Sequence, residues 1–291
     1  MWAKRAAVPL LIVSMTVVLQ QGPLVFAQNA KTGDNKNIAA ILINLRDPSW
    51  EQRAHAFYQL VGSSDGRSDL IPSRLATFFR TNPDREDESK LALIQLLNTE
   101  NSMVESQNEE YKRSRKTLPE SYTNYYGDVI AAVAGLNDPR AVNALVGAMA
   151  TGAMATRGLA RLGPEALDPL ILNLQSRDVI TRAATVRGLT TMWRPENREK
   201  LDDDVSRRKI KDAFMRAARD EDGGVRLAAV YGLALIPDDD SVLLLRRLAA
   251  SDPSRLPGQA DEGGPFYPVR QAARRVLDQI ARSRVPPTNN R

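Results

Sequence analysis

Three arginines, Arg182, Arg226 and Arg270, stand 44 residues apart, and each heads the same local text. Small residues follow within three positions, as in Ala183-Ala184, Ala228-Ala229 and Ala272-Ala273, and a leucine comes seven positions on, at Leu189, Leu233 and Leu277. A fixed period of this length restricts the fold more than any other feature. It marks two-element units that cannot bury an apolar face alone and must stack on their neighbours. Arg53, with Ala54, Ala56 and Leu60, reads as an earlier copy, and Arg157, with Leu159, Ala160 and Leu162, as a shortened one.

The segments between the arginines repeat as well. Asp138-Pro139-Arg140-Ala141-Val142, Gly163-Pro164-Glu165-Ala166-Leu167 and Asp238-Asp239-Asp240-Ser241-Val242 each open with a proline or capping residue, which starts a helix at low cost. Val142 to Arg157 and Leu167 to Arg182 are both offsets of 15 residues, so each unit reads as a helix, a tight turn and a second helix. Sustained apolar–polar alternation is absent, which predicts no strands. Aromatics are only 5% of the chain while Ala, Leu and Arg are abundant, a mixture that favours helices. The expected fold is therefore all-α, an α-solenoid or superhelix of antiparallel helix pairs.

The turn text Asp220-Glu221-Asp222-Gly223-Gly224-Val225-Arg226-Leu227-Ala228-Ala229 resembles the HEAT repeat, in the variant related to phycobilisome lyases. Asp47 and Arg53 keep its six-residue spacing; Ser176 and Gly264 replace the first aspartate before Arg182 and Arg270. The resemblance is strong over residues 122–283, moderate over 38–62 and weak over 63–121. It implies that Asp47, Arg53, Asp178, Arg182, Asp220, Asp222, Arg226 and Arg270 are structural turn residues. In that scheme the aspartate caps the second helix, and the arginine bonds back to it or to turn carbonyls. At about 40–47 residues per unit, six units are expected after the N-terminal segment.

Residues 1–27 read as a cleaved signal peptide. Lys4 and Arg5 precede a short apolar run, and Val25-Phe26-Ala27 presents small residues before Gln28, so cleavage is expected after Ala27 and the location is periplasmic or secreted. Residues 28–37 read as a flexible leader, 38–283 as the solenoid with an irregular charged insertion at about 99–121, and 284–291 as a disordered tail. Without cysteine, disulfides, thiol catalysis and a lipoprotein anchor are excluded. The formal charge of +5 comes from interspersed signs, which does not suggest nucleic acid as a partner, and after signal cleavage no stable membrane insertion is expected.

Few residues suggest chemistry. His55, the single histidine, has no serine or carboxylate placed beside it by motif, and one histidine without cysteine makes no usual zinc site. Asp202-Asp203-Asp204 and Asp238-Asp239-Asp240 precede predicted helices and read as caps. Asp220, Asp222 and Gly223 open like a calcium loop whose twelfth position is Tyr231 instead of glutamate. No catalytic residue, cofactor or metal is expected. Two groups are candidates for binding a partner. Tyr122, Tyr125 and Tyr126 share a helical face, with packing against the charged segment before them as the simpler reading. Phe266 and Tyr267 end a Pro- and Gly-rich loop, Asp252 to Tyr267, that either caps the solenoid over Leu245, Leu248 and Val276 or binds a partner. The expected function is an exported protein–protein interaction scaffold or adaptor using the concave face. The alternatives are an accessory subunit of an enzyme, a lyase-like enzyme, or a structural part of an envelope complex.

Overall fold

The computed structural model describes residues 35–62, 66–114, 117–151, 153–256 and 266–283. The expected signal peptide, most of the leader and the tail lie outside the described residues, as does much of the loop before Phe266. Among the described residues helices account for the regular structure: α1 (Asn35–Asn44), α2 (Trp50–Val61), α3 (Ile71–Thr81), α4 (Glu86–Ser114), α5 (Glu120–Gly135), α6 (Val142–Ala148), α7 (Ala153–Leu162), α8 (Leu167–Asn173), α9 (Val179–Met192), α10 (Asp204–Ala217), α11 (Gly223–Leu233), α12 (Asp239–Ser251) and α13 (Pro268–Ser283). Strand-type pairing among the described residues is limited to one isolated bridge between Leu256 and Phe266.

The helices pair antiparallel as α1/α2, α4/α5, α6/α7, α8/α9, α10/α11 and α12/α13, which are the six expected units. Helix α3 is extra and packs on α2 and α5. The second helices α5, α7, α9, α11 and α13 stack on one another in order, and more extensively than the first helices do. The repeat's small residues are the cause. An added Cβ on Gly158 would lie 2.8 Å from Ala134 of α5, and one on Gly232 would lie 2.5 Å from the Phe214 ring. At Gly158 two second-helix backbones thus approach where only glycine fits, while Gly232 makes room for the Phe214 ring of α10 in its own unit. Leu159, Leu189 and Leu233 each follow such a glycine and are fully buried, a burial worth about 1.5–3 kcal/mol per side chain.

Aspartates start the later helices. Asp178 accepts from the Thr181 amide, Asp203 from those of Val205 and Ser206, Asp222 from those of Gly224 and Val225, and Asp238 from that of Ser241. The acidic runs 202–204 and 238–240 thus supply caps. Lys211 also pairs with Asp238.

The segment expected to be an irregular insertion at about 99–121 is regular instead. Helix α4 runs unbroken for 29 residues, and its first half is core, with Leu93, Leu96, Leu97 and Glu100 buried. Beyond Glu100 none of its described side chains is fully buried, though Met103 and Val104 still pack against the core and Asn101 bonds Ala144 and Tyr126. The helix continues because its residues from Ser102 to Ser114 include no Pro or Gly to stop it.

Candidate interaction surface

The repeat arginines act as staples between successive units. Each donates from one guanidinium nitrogen to the carbonyls six and five residues before it: Arg53 to Asp47 and Pro48, Arg182 to Ser176 and Arg177, Arg226 to Asp220 and Glu221. Each reserves its other nitrogens for an acid contributed by a later unit. Arg182 makes a forked pair with Asp220 at 2.8 and 2.9 Å, and Arg226 one with Asp252 at 2.7 and 3.1 Å. Arg270 donates to the Asp252 carbonyl at 2.6 Å and lies over the Tyr267 ring, 4.1 Å from its centroid. The outcome is a ladder, Arg182–Asp220–Arg226–Asp252–Arg270. Asp220 and Asp252 each accept one arginine on the carboxylate and the next on the backbone carbonyl.

Of the two bonds expected of Arg53, Arg182 and Arg226, the one to the turn carbonyls is made and the one to the arginine's own turn carboxylate is not. The turn carboxylate instead folds over its own loop, accepting the amide two residues on: Ser49 on Asp47, Asp222 on Asp220, Ser254 on Asp252. Burial alone would raise the Asp220 and Asp252 carboxyls. The facing guanidinium and the loop amide outweigh it and hold both below the usual range.

Arg53 finds its acid on α4. Glu100 is fully buried and takes Arg53 at 2.6 and 3.1 Å. Its oxygens also accept the Tyr122 hydroxyl at 2.7 Å and the Tyr125 hydroxyl at 2.9 Å, while Tyr126 donates to Asn101 at 2.7 Å. The three tyrosines are therefore core residues, at most 5% exposed, and the partner-binding reading of Tyr122, Tyr125 and Tyr126 does not hold. Burial first, and then the Glu100 charge, push the Tyr122 and Tyr125 phenols well above the ordinary value. An Asp128 carboxylate accepting from Tyr58 and Ser68 makes a second buried network nearby.

Two further expectations change. Arg157 is not a shortened staple copy: aligning Gly158-Leu159 with Gly188-Leu189 and Gly232-Leu233 puts it opposite Arg187 and Tyr231, and it is exposed. Phe266 does not cover the last helices; it is 43% exposed, with its backbone bonded to Leu256. Tyr267 is half-buried beneath Arg270, so only Phe266 of this pair remains a clear candidate for contact. His55 is exposed on α2.

Open depressions lie elsewhere on the surface of the described residues. A groove of about 600 Å³ beside α10 is lined by Lys211, Arg216, Arg219, Asp220 and Asp240; Lys211 pairs with Asp240 within it, and Asp220 is taken by Arg182. One of about 440 Å³ between α3, α4 and α5 is lined by Leu75, Phe79, Pro83, Lys90 and Leu136. Among the described residues no group of three or more potential ligands gathers for a metal, and no helix is long and apolar enough to cross a membrane.

The sequence names the concave face of the second helices but not the residues that make it the clearest candidate surface. On the open face of the second helices the positions Arg187, Tyr231 and Arg275 recur at the repeat's 44-residue period, with Arg157 in the same row. Tyr231 is 51% exposed, flanked by the half-buried Leu227 one turn before and Leu235 one turn after. The signal was available: five residues after Arg182, Arg226 and Arg270 stands a large side chain with no place in the core pattern, whereas Tyr58, five after Arg53, packs against the core and bonds Asp128.

A family model for HEAT repeats matches residues 167–260. No curated protein matches the sequence. Among solved structures the chain is similar to the crystal structure of an engineered protein from a structural-genomics consortium, at 17% identity over 84% of this chain and 97% of that one, with a TM-score of 0.40. The family match is to the repeat as such and does not extend to the phycobilisome-lyase type. The matched segment contains the Arg182–Asp220 and Arg226–Asp252 staples, and the chain is an all-helical solenoid of HEAT-like repeats.

Proposed function

We propose that this chain is an exported scaffold or adaptor that binds another protein through the open face of its second helices. HEAT repeats generally mediate protein–protein interaction, and a fold of this kind serves through its surface, since fold alone specifies no chemistry. The observation that carries the reading is the row Arg157, Arg187, Tyr231 and Arg275. It sits on the more tightly stacked layer, toward which a solenoid curves. Tyrosine and arginine are the residue types that anchor interfaces. The first-helix layer instead exposes single aliphatics, Leu172, Val205 and Leu243, at unrelated positions of their helices, as ordinary surfaces do.

The test is affinity capture from intact cell envelopes with the natural chain and with the triple variant Arg187→Ala, Tyr231→Ala, Arg275→Ala. All three side chains are exposed, so the variant keeps its melting temperature. The reading expects a defined polypeptide to be retained by the natural chain and lost from the variant. Equal retention by both would place the binding surface elsewhere, and accumulation of the chain in the cytosol would remove the exported setting.

A further inference from the structure

We propose that the partner presents an acidic, extended segment whose carboxylates alternate with one aromatic or aliphatic anchor, read by Arg157, Arg187, Tyr231 and Arg275 in that order. This rests on the reading that the second-helix face is the binding face, and it adds the chemistry of what binds there.

From α7 onward charge is sorted between the two layers; the earlier second helices α2 and α5 carry Glu51, Glu120 and Asp128. Helices α7, α9, α11 and α13 contain arginines and no lysine, and their single acid is Asp278. The first helices α10 and α12 mix both signs, and α4 carries acids along its length. The apparent interspersing of charge in the sequence is thus an alternation of mixed and basic helices that the fold separates. Arg182 and Arg226 are consumed by the staples. Among the described residues Arg157, Arg187 and Arg275 take part in no ion pair, and the one acid of these helices, Asp278, stands a turn beyond Arg275 at the end of the row without pairing with it. A row of guanidinium groups without counter-charges on a protein face is complementary to carboxylates.

Spacing gives the pattern. Packed helices lie about 8–10 Å apart, and an extended chain advances about 3.3–3.6 Å per residue. One step from helix to helix therefore matches about three residues. A segment crossing the row places acids opposite Arg157 and Arg187, an apolar side chain three residues on at Tyr231, and an acid three further at Arg275. Leu227 and Leu235 widen the apolar stop on either side of Tyr231. That stop separates a polypeptide from a nucleic acid: a phosphate backbone requires a dense basic track, whereas here each repeat offers one charge and the central one offers none.

The test uses the full chain and a labelled 12-residue peptide with glutamates and phenylalanine in this spacing, read by fluorescence anisotropy. Companion probes are the all-glutamine analogue, the same composition scrambled, and a single-stranded oligodeoxythymidine of equal charge. Binding of the patterned peptide is expected to fall about fivefold or more for each of Arg187→Ala, Tyr231→Ala and Arg275→Ala, and to weaken with salt. The double charge reversal Arg187→Glu with Arg275→Glu is expected to reject this peptide and accept its lysine counterpart. Equal binding of the glutamine or scrambled peptide overturns the proposal, and so does tighter binding of the oligonucleotide. Self-association that the charge reversal dissolves also overturns it, by assigning the face to a second copy. If envelope capture depends on the face while no acidic peptide binds, the chemistry is wrong and the face is right; failure of both removes the face itself.

Discussion

Arg182 and Arg226 occupy equivalent repeat positions, yet their removal is expected to have unequal consequences. Arg226→Ala deletes a forked bond to Asp252, two bonds to the turn carbonyls of Asp220 and Glu221, and a contact with Ser254. The Asp252 side chain left behind is 1% exposed, so its charge has no access to water. Breaking one side of a buried pair costs about 3–5 kcal/mol, most of it the uncompensated partner. The same change at Arg182 frees Asp220, which is 13% exposed beside a largely solvated Glu221, and water takes over part of the lost contact. A cost of about 1–3 kcal/mol is expected there. Urea unfolding followed by far-UV dichroism and by tryptophan fluorescence measures both, with Trp193 reporting locally at the end of α9. A double-mutant cycle with Asp252→Ala should find the pair's cost well below the sum of the singles, since losing both groups leaves no orphaned charge. Equal losses at Arg182 and Arg226, or a loss under about 1 kcal/mol at Arg226, would refute the argument from burial.

Tyr125→Phe is expected to cost about 1–3 kcal/mol by removing a buried donor to Glu100, with no effect on partner capture; thermal melting and the capture assay check the two halves. Gly232→Ala forces a methyl group against the Phe214 ring at 2.5 Å and is expected to cost about 1–3 kcal/mol in the same melts. Asp220 and Asp252 have folded-state carboxyls held below their unfolded values. Their contribution is therefore complete above about pH 4 and is lost as pH falls through the folded values; Asp252→Asn should flatten stability against pH in that acid range. Phe266→Ala, at an exposed position, should leave the melting temperature within about 1 °C of the natural chain.

The helix-pair architecture was readable from the arginine period because the staple uses local carbonyls at fixed offsets, and fixed offsets appear in sequence. The acid on the other side of each staple was not readable. Asp252 lies 26 residues beyond Arg226 and Glu100 lies 47 beyond Arg53, distances set by how one unit stacks on the next. Glu100 was further hidden inside a highly charged window, where a single inward-facing acid looks like its solvated neighbours. The simpler reading of the tyrosines, packing against the charged segment before them, holds, but the acid that Tyr122 and Tyr125 bond was not legible for the same reason. Arg157 was misaligned because α7 lacks the opening turns of α9, so matching the arginines instead of the Gly-Leu pairs shifts the register. The exposed row Arg187, Tyr231 and Arg275 carries only a fixed offset from the staple arginines and no shared residue type. It becomes visible once the fold shows which residues of a repeating helix have no neighbour.

Photo-cross-linking in living cells tests the central claim most directly. A benzophenone amino acid is placed at position 231 on the second-helix face or at position 243 on the first-helix face; both native side chains are 51% exposed, so accessibility is matched. The account predicts a discrete cross-linked polypeptide from position 231, abolished by Arg187→Glu, and none from position 243. A product from position 243 with none from position 231 would contradict it.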